Sequence, residues 1–126
     1  MKKSLFTLLL FPLLSQASSY HFQAPVVYGG EDSLDAWHYT EAVTVPIKVK
    51  HIGEKTPYYL EVNNQQISDV FYLEGEEEIS VDVPITLEAK HGSQLFRICS
   101  VAFHGAVGSR ICTKAELFLI QPINKK

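Results

Sequence analysis

Val43, Val45, Ile47 and Val49 alternate with Thr44, Pro46, Lys48 and Lys50, a period of two that turns one set of side chains toward a core and the other toward water, as in a half-buried strand. Ile79, Val81, Val83, Ile85 and Leu87 repeat the alternation against Ser80, Asp82, Pro84, Thr86 and Glu88. Proline brings no N–H to a ladder, so each of these strands must lie at an edge, carry a bulge or change sheets at its proline. Residues 58–62 and 67–73 read as two more strands, joined by Asn63-Asn64-Gln65-Gln66, a polar link of hairpin length whose asparagines tolerate positive φ. A last pair is predicted over 96–103 and 109–120, and a first strand over 24–28. Helical character is confined to 33–39, where one short turn capped by Asp32 or Ser33 is expected.

About seven short strands, mostly hairpin-connected, point to a single all-β sandwich of immunoglobulin-like or fibronectin-III-like type, with a small β-barrel as the alternative. The likeness is one of architecture. The two cysteines are thirteen positions apart and the one tryptophan, Trp37, falls in a polar loop, so no particular family is recognisable in these residues.

The chain opens with Lys2-Lys3 and the apolar run Leu5 to Leu14, followed by Ser15-Gln16-Ala17. These are the charged, hydrophobic and small-residue regions of a secretory signal, and the run is shorter than the roughly 20 residues a membrane span needs. The expected organisation is a signal peptide over 1–17, with cleavage as late as residue 19; an N-terminal strand and polar loop over 18–41; a sandwich core over 42–120; and a tail over 121–126. The expected destination is the bacterial periplasm or the cell surface, with no membrane anchor left after cleavage.

Export gives the cysteines a structural meaning. If Gly105-Ala106 are the central pair of a two-residue turn with Gly first, facing positions sum to 211 and Cys99 lies opposite Cys112, where a cross-strand disulfide can form. The same register gathers Phe96, Ile98, Ser100, Ala102, Ile111, Thr113, Ala115, Leu117 and Leu119 on a core face. It leaves Arg97, Arg110 and Lys114 on the other face with Val101, Phe103, Glu116 and the bridge. That mixture of cations and exposed apolar surface is a candidate partner-binding face, since Arg favours interfaces. Trp37 and Tyr39, among Glu31, Asp32, Asp35 and Glu41, add a candidate exposed aromatic anchor.

The chain has 11 Lys and Arg against 14 Asp and Glu; without Lys2 and Lys3 the balance is 9 against 14, or −5. Nucleic acid and anionic lipid, which reward clustered cations, are not expected partners. His21, His38, His51, His91 and His104 are scattered without ligand spacing, so no metal site or cofactor is expected. The one variation is cleavage after Ser18, which would place His21 third from a free amine, a square-planar Cu(II) or Ni(II) arrangement; Gln16 argues against that cut. Glu74, Glu76, Glu77 and Glu78 read as a solvated acidic turn, because the alternating ligands of a Ca²⁺ loop are missing. No catalytic motif is present, and no catalytic residue is expected.

The function expected is therefore non-enzymatic: an exported module that binds another envelope or surface protein as an accessory, adhesive or assembly component. One alternative is an inhibitor of an exported hydrolase acting through the 103–110 hairpin tip, which a disulfide would pre-organise. Another is a small-molecule or metal carrier.

Overall fold

A computed structural model describes residues 19–104 and 107–121. The expected signal segment, the Gly105-Ala106 turn and the Lys125-Lys126 tail lie outside the described residues. In chain order the elements are β1 (Tyr20–Ala24), β2 (Val27–Gly29), a 3₁₀ turn (Leu34–Ala36), β3 (Trp37–His38), β4 (Ala42–Val62), β5 (Gln65–Gln66), β6 (Phe71–Gly75), β7 (Glu78–Thr86), β8 (Gln94–His104) and β9 (Val107–Leu119). The fold is all-β, and its strands form one nearly closed, barrel-like sheet.

The organising element is β4, 21 residues long. Its first half pairs antiparallel with β1 on one side and β7 on the other. Its second half pairs with β6 and the short β5 on one side and β8 on the other, and the sheet continues through β9 to β2. Between Gly53 and Thr56 the β4–β6 register shifts by one residue, a bulge that reverses which alternate positions face inward. Before it Val43, Val45, Ile47, Val49 and His51 are buried; after it Thr56, Tyr58 and Leu60 are. Gly53 has φ +132°, and a Cβ there would lie 2.7 Å from Ser19 Oγ and 3.0 Å from Ser19 Cα, so the chain leading into β1 crosses where only glycine fits.

The prolines sit as the ladder requires. His51 N–H donates to Glu77 O and Leu87 N–H to Glu41 O, so the odd-numbered residues of β4 make the hydrogen-bonded pairs with β7. Pro46, opposite Asp82, turns its nitrogen toward the side on which β1 has already ended, at the Ala24–Lys48 pair; Pro84 turns its nitrogen to the open edge of β7.

Two expectations hold in detail. Asn63 and Asn64 take φ of 50° and 71° and close the β4–β5 hairpin, and Ser33 Oγ accepts from Asp35 N–H at the start of the 3₁₀ turn. Two are corrected: the strand expected over 67–73 starts only at Phe71, while Gln65-Gln66 of the expected link pair with β4, and residues 24–28 are not a single strand. A cis Ala24–Pro25 bond separates β1, antiparallel to β4, from β2, parallel to β9. A Cβ added at Gly29 would run into Glu116 O, so β2 lies against β9 too closely for a side chain at that position.

The core inside the sheet is built from Val45, Ile47, Val49, Tyr58, Leu60, Leu73, Val83, Ile85, Leu87, Ile98, Ala115 and Leu117, joined by Leu119 and Ala102.

Candidate functional site

The β8–β9 ladder has the expected register, with Cys99 opposite Cys112 and their Cα atoms 4.0 Å apart, bridged as a disulfide. The inward set is as expected: Ile98, Ser100, Ala102, Thr113, Ala115, Leu117 and Leu119 are buried, and Phe96 and Ile111 are partly so. The outward set carries the candidate partner-binding residues, which the structure disperses along one long face.

Arg97 and Lys114 stand directly opposite each other and are exposed. Arg110, farther toward the hairpin tip, is already engaged: its Nε donates to Glu61 Oε2 at 2.7 Å. Glu61 is nearly inaccessible, and its hydrogen bond pushes the Arg110 pKa further up. Phe103 leans on Tyr59, ring centroids 5.7 Å apart. At the far end of β9, Trp37 pairs with Phe118 in the short parallel β3–β9 ladder. The Trp37 ring stacks on Phe118 at 4.1 Å, and its indole N–H donates to Glu31 O. Trp37 is 38% exposed, as expected of the candidate aromatic anchor, while one side of its ring covers Phe118, an outward-facing phenylalanine. Tyr39, next to it, is largely exposed.

Beside Arg97 and Lys114 lies a groove of about 530 Å³, lined by Val26, Val27, Leu95, Phe96, Cys112 and Asn63 as well as the two cations. Val26 is 73% exposed, Val27 61% and Leu95 55%. β2 has β9 as its only strand partner among the described residues, so these valines occupy a free edge. Arg97 and Lys114 are among the expected binding residues; Val26, Val27 and Leu95 are not. Leu95 was legible, since the 211 register puts it outward; the valines depend on the turn at Pro25.

A second cleft, about 320 Å³, opens between β1, the bend of β4 and the β8–β9 hairpin, lined by Ser19, Tyr20, His21, His51, Thr56, Tyr58, Ala102, Gly108 and Ser109. Here the picture of scattered surface histidines is corrected. His51 is 0% exposed; its Nε2 contacts Glu54 O at 2.6 Å and its Nδ1 contacts Tyr58 Oη at 2.7 Å. A carbonyl only accepts, so Nε2 carries the proton and Tyr58 donates to Nδ1. Burial raises the Tyr58 pKa to about 12.

In β1 the polar residues face in and the aromatic ones out: Gln23 is buried and His21 half-buried, while Tyr20 and Phe22 are exposed. Gln23 uses its full hydrogen-bonding capacity. Nε2 donates to Ile98 O and Thr113 Oγ1, and Oε1 accepts from Ser100 N–H and Ser100 Oγ. Thr113 Oγ1 in turn donates to Pro25 O. Because the Ser100 hydroxyl proton goes to Gln23, Ser100 Oγ accepts from His21 Nε2 at 2.7 Å, and His21 Nδ1 accepts from Ser109 Oγ at 2.8 Å. Burial, with a smaller contribution from neighbouring His51, lowers the His21 pKa to about 4. Both ring nitrogens are committed and β1 is laddered to β4, so a wrapped Cu(II) or Ni(II) at this histidine would require the strand to detach. His51 was legible as the fifth member of the Val43–Val49 alternation, whereas His21 and Gln23 show no apolar alternation to read.

No family model and no curated protein matches this chain. Among the described residues no helix is long and apolar enough to cross a membrane.

Proposed function

We propose that this chain is an exported, non-enzymatic β-module that binds another protein of the cell envelope or surface, as an accessory, adhesive or assembly component, through the outer face of β8–β9 and the adjoining edge of β2. Export is supported by the leading Lys2-Lys3 and apolar run and by the Cys99–Cys112 bridge, a bond that persists in oxidising compartments. We read the architecture as an immunoglobulin-like sandwich whose two layers share β4, because the halves of that strand pair with different neighbours. The non-enzymatic reading draws on the chemistry of the Ser109–His21 pair: an imidazole with a pKa near 4 is a weak proton acceptor at neutral pH, and its second nitrogen is oriented by a neutral hydroxyl.

The observation that carries the proposal is the groove beside the disulfide, where Val26, Val27 and Leu95 hold more than half of their surface in water next to two cations. Exposed apolar side chains grouped in a groove beside cations mark a contact surface. The test is capture from native envelope by immobilised, disulfide-intact protein, compared with a Val27→Asp/Leu95→Asp variant of unchanged melting temperature. The proposal expects a discrete protein retained by the wild type, lost with the variant, and bound again when both components are purified. Equal retention by the two proteins would refute this face.

A further inference from the structure

We propose that Arg97 and Lys114 form an anion clamp, and that the partner segment seated in the groove carries a carboxylate directly beside a large aliphatic or aromatic side chain. This rests on the reading of the groove as the binding face. Arg97 and Lys114 are directly opposed in the β8–β9 ladder, which holds their Cβ atoms about 5 Å apart. Like charges so placed destabilise a sheet, and among the described residues neither is within ion-pair distance of a carboxylate. The same face supplies Arg110 with Glu61 at 2.7 Å, whereas among the described residues Arg97 and Lys114 have no such partner. The nearest carboxylate in the ladder, Glu116, faces Leu95 rather than either cation.

An incoming carboxylate accepts from the Arg97 fork on one side and from Lys114 Nζ on the other, and relieves their repulsion. Its neighbour then meets apolar surface on both sides, since Val27 pairs with Lys114 and Leu95 lies two residues before Arg97. Two cations beside an apolar trough suit a single acidic side chain on an apolar segment better than a polyanion, which the chain's net negative charge repels.

The experiment titrates the isotope-labelled, disulfide-intact mature chain with the blocked peptide acetyl-Gly-Leu-Glu-Leu-Gly-amide, its Gln-for-Glu analogue and octanoate, following backbone amide shifts. The acidic peptide is expected to shift Val27, Leu95, Arg97 and Lys114 saturably, with the neutral analogue weaker by about tenfold. The double variant Arg97→Gln/Lys114→Gln should lose that preference while melting no lower than the wild type, because its removal of opposed charges is itself stabilising. Equal binding of the acidic and neutral peptides would overturn the clamp while leaving the apolar face intact. Tighter binding of octanoate than of the peptide would also overturn it, replacing the protein segment with a free amphiphile. If no peptide shifts the groove although capture still depends on Val27 and Leu95, the clamp fails and the binding face survives; if capture is indifferent to them too, both fail.

Discussion

Replacing Gln23 by Met tests whether a buried polar network, rather than apolar contact, fastens β1 to the β8–β9 hairpin. The side chain is nearly isosteric, so little volume changes. Four hydrogen bonds are lost, to Ile98 O, Thr113 Oγ1, Ser100 N and Ser100 Oγ. At about 1 kcal/mol net each they sum to about 4 kcal/mol, from which added apolar burial returns about 1 kcal/mol. The expected loss is about 3 kcal/mol, a drop in melting temperature on the order of 15 °C for a domain of this size. Urea unfolding followed by far-ultraviolet circular dichroism measures it. A companion, Gln23→Glu, has a sign of its own. An ionised carboxylate cannot donate to Ile98 O or to a Thr113 hydroxyl whose proton is committed to Pro25, so the folded state favours the protonated acid. Its folded pKa is raised, and the variant should lose stability as pH rises above the unfolded carboxyl value of about 4.3. Should Gln23→Met melt within two degrees of the wild type, the network contributes nothing and the argument fails.

Three further outcomes are expected. Replacing Cys99 and Cys112 together by Ala should destabilise by about 3 kcal/mol in the chain-entropy picture, read as a lower urea midpoint; an unchanged midpoint would mean the ladder alone defines this hairpin. Burial lowers the folded His21 pKa to about 4 from about 6.5 in the unfolded chain, so the unfolded state takes up protons first and stability should fall as pH drops from about 6.5 to about 4, with the slope flattened in His21→Gln; a His21 resonance, assigned by its loss in that variant, that titrates near 6.5 in the native protein would contradict this. Trp37→Ala uncovers Phe118 and should cost about 2 kcal/mol, less than for a fully buried ring; a melting curve unmoved by the change would mean that the stack adds nothing to stability.

What could be read from the residues was whatever short-range periodicity specifies. The alternations at 43–49 and 79–87, the Asn63-Asn64 turn, the Ser33 cap and the Cys99–Cys112 register each depend on a few neighbouring positions, and each is found in the structure. The continuity of β4 was hidden because Gly53-Glu54-Lys55 has the composition of a loop, although it serves as a bulge within one strand. β1 was hidden for a different reason: its inward residues are Gln23 and His21, so a hydropathy pattern reads it backwards. The Glu61–Arg110 pair and the Trp37–Phe118 stack join positions 49 and 81 residues apart, and nothing local announces either.

The unbroken course of β4 ties the two halves of the sheet to a single strand. A rupture in its first half would strip pairing from β1 and β7, and one in its second half from β6 and β8. A chain so wired is poorly suited to shedding one wall to admit a guest, and well suited to offering an unyielding exterior on which recognition depends on side chains alone.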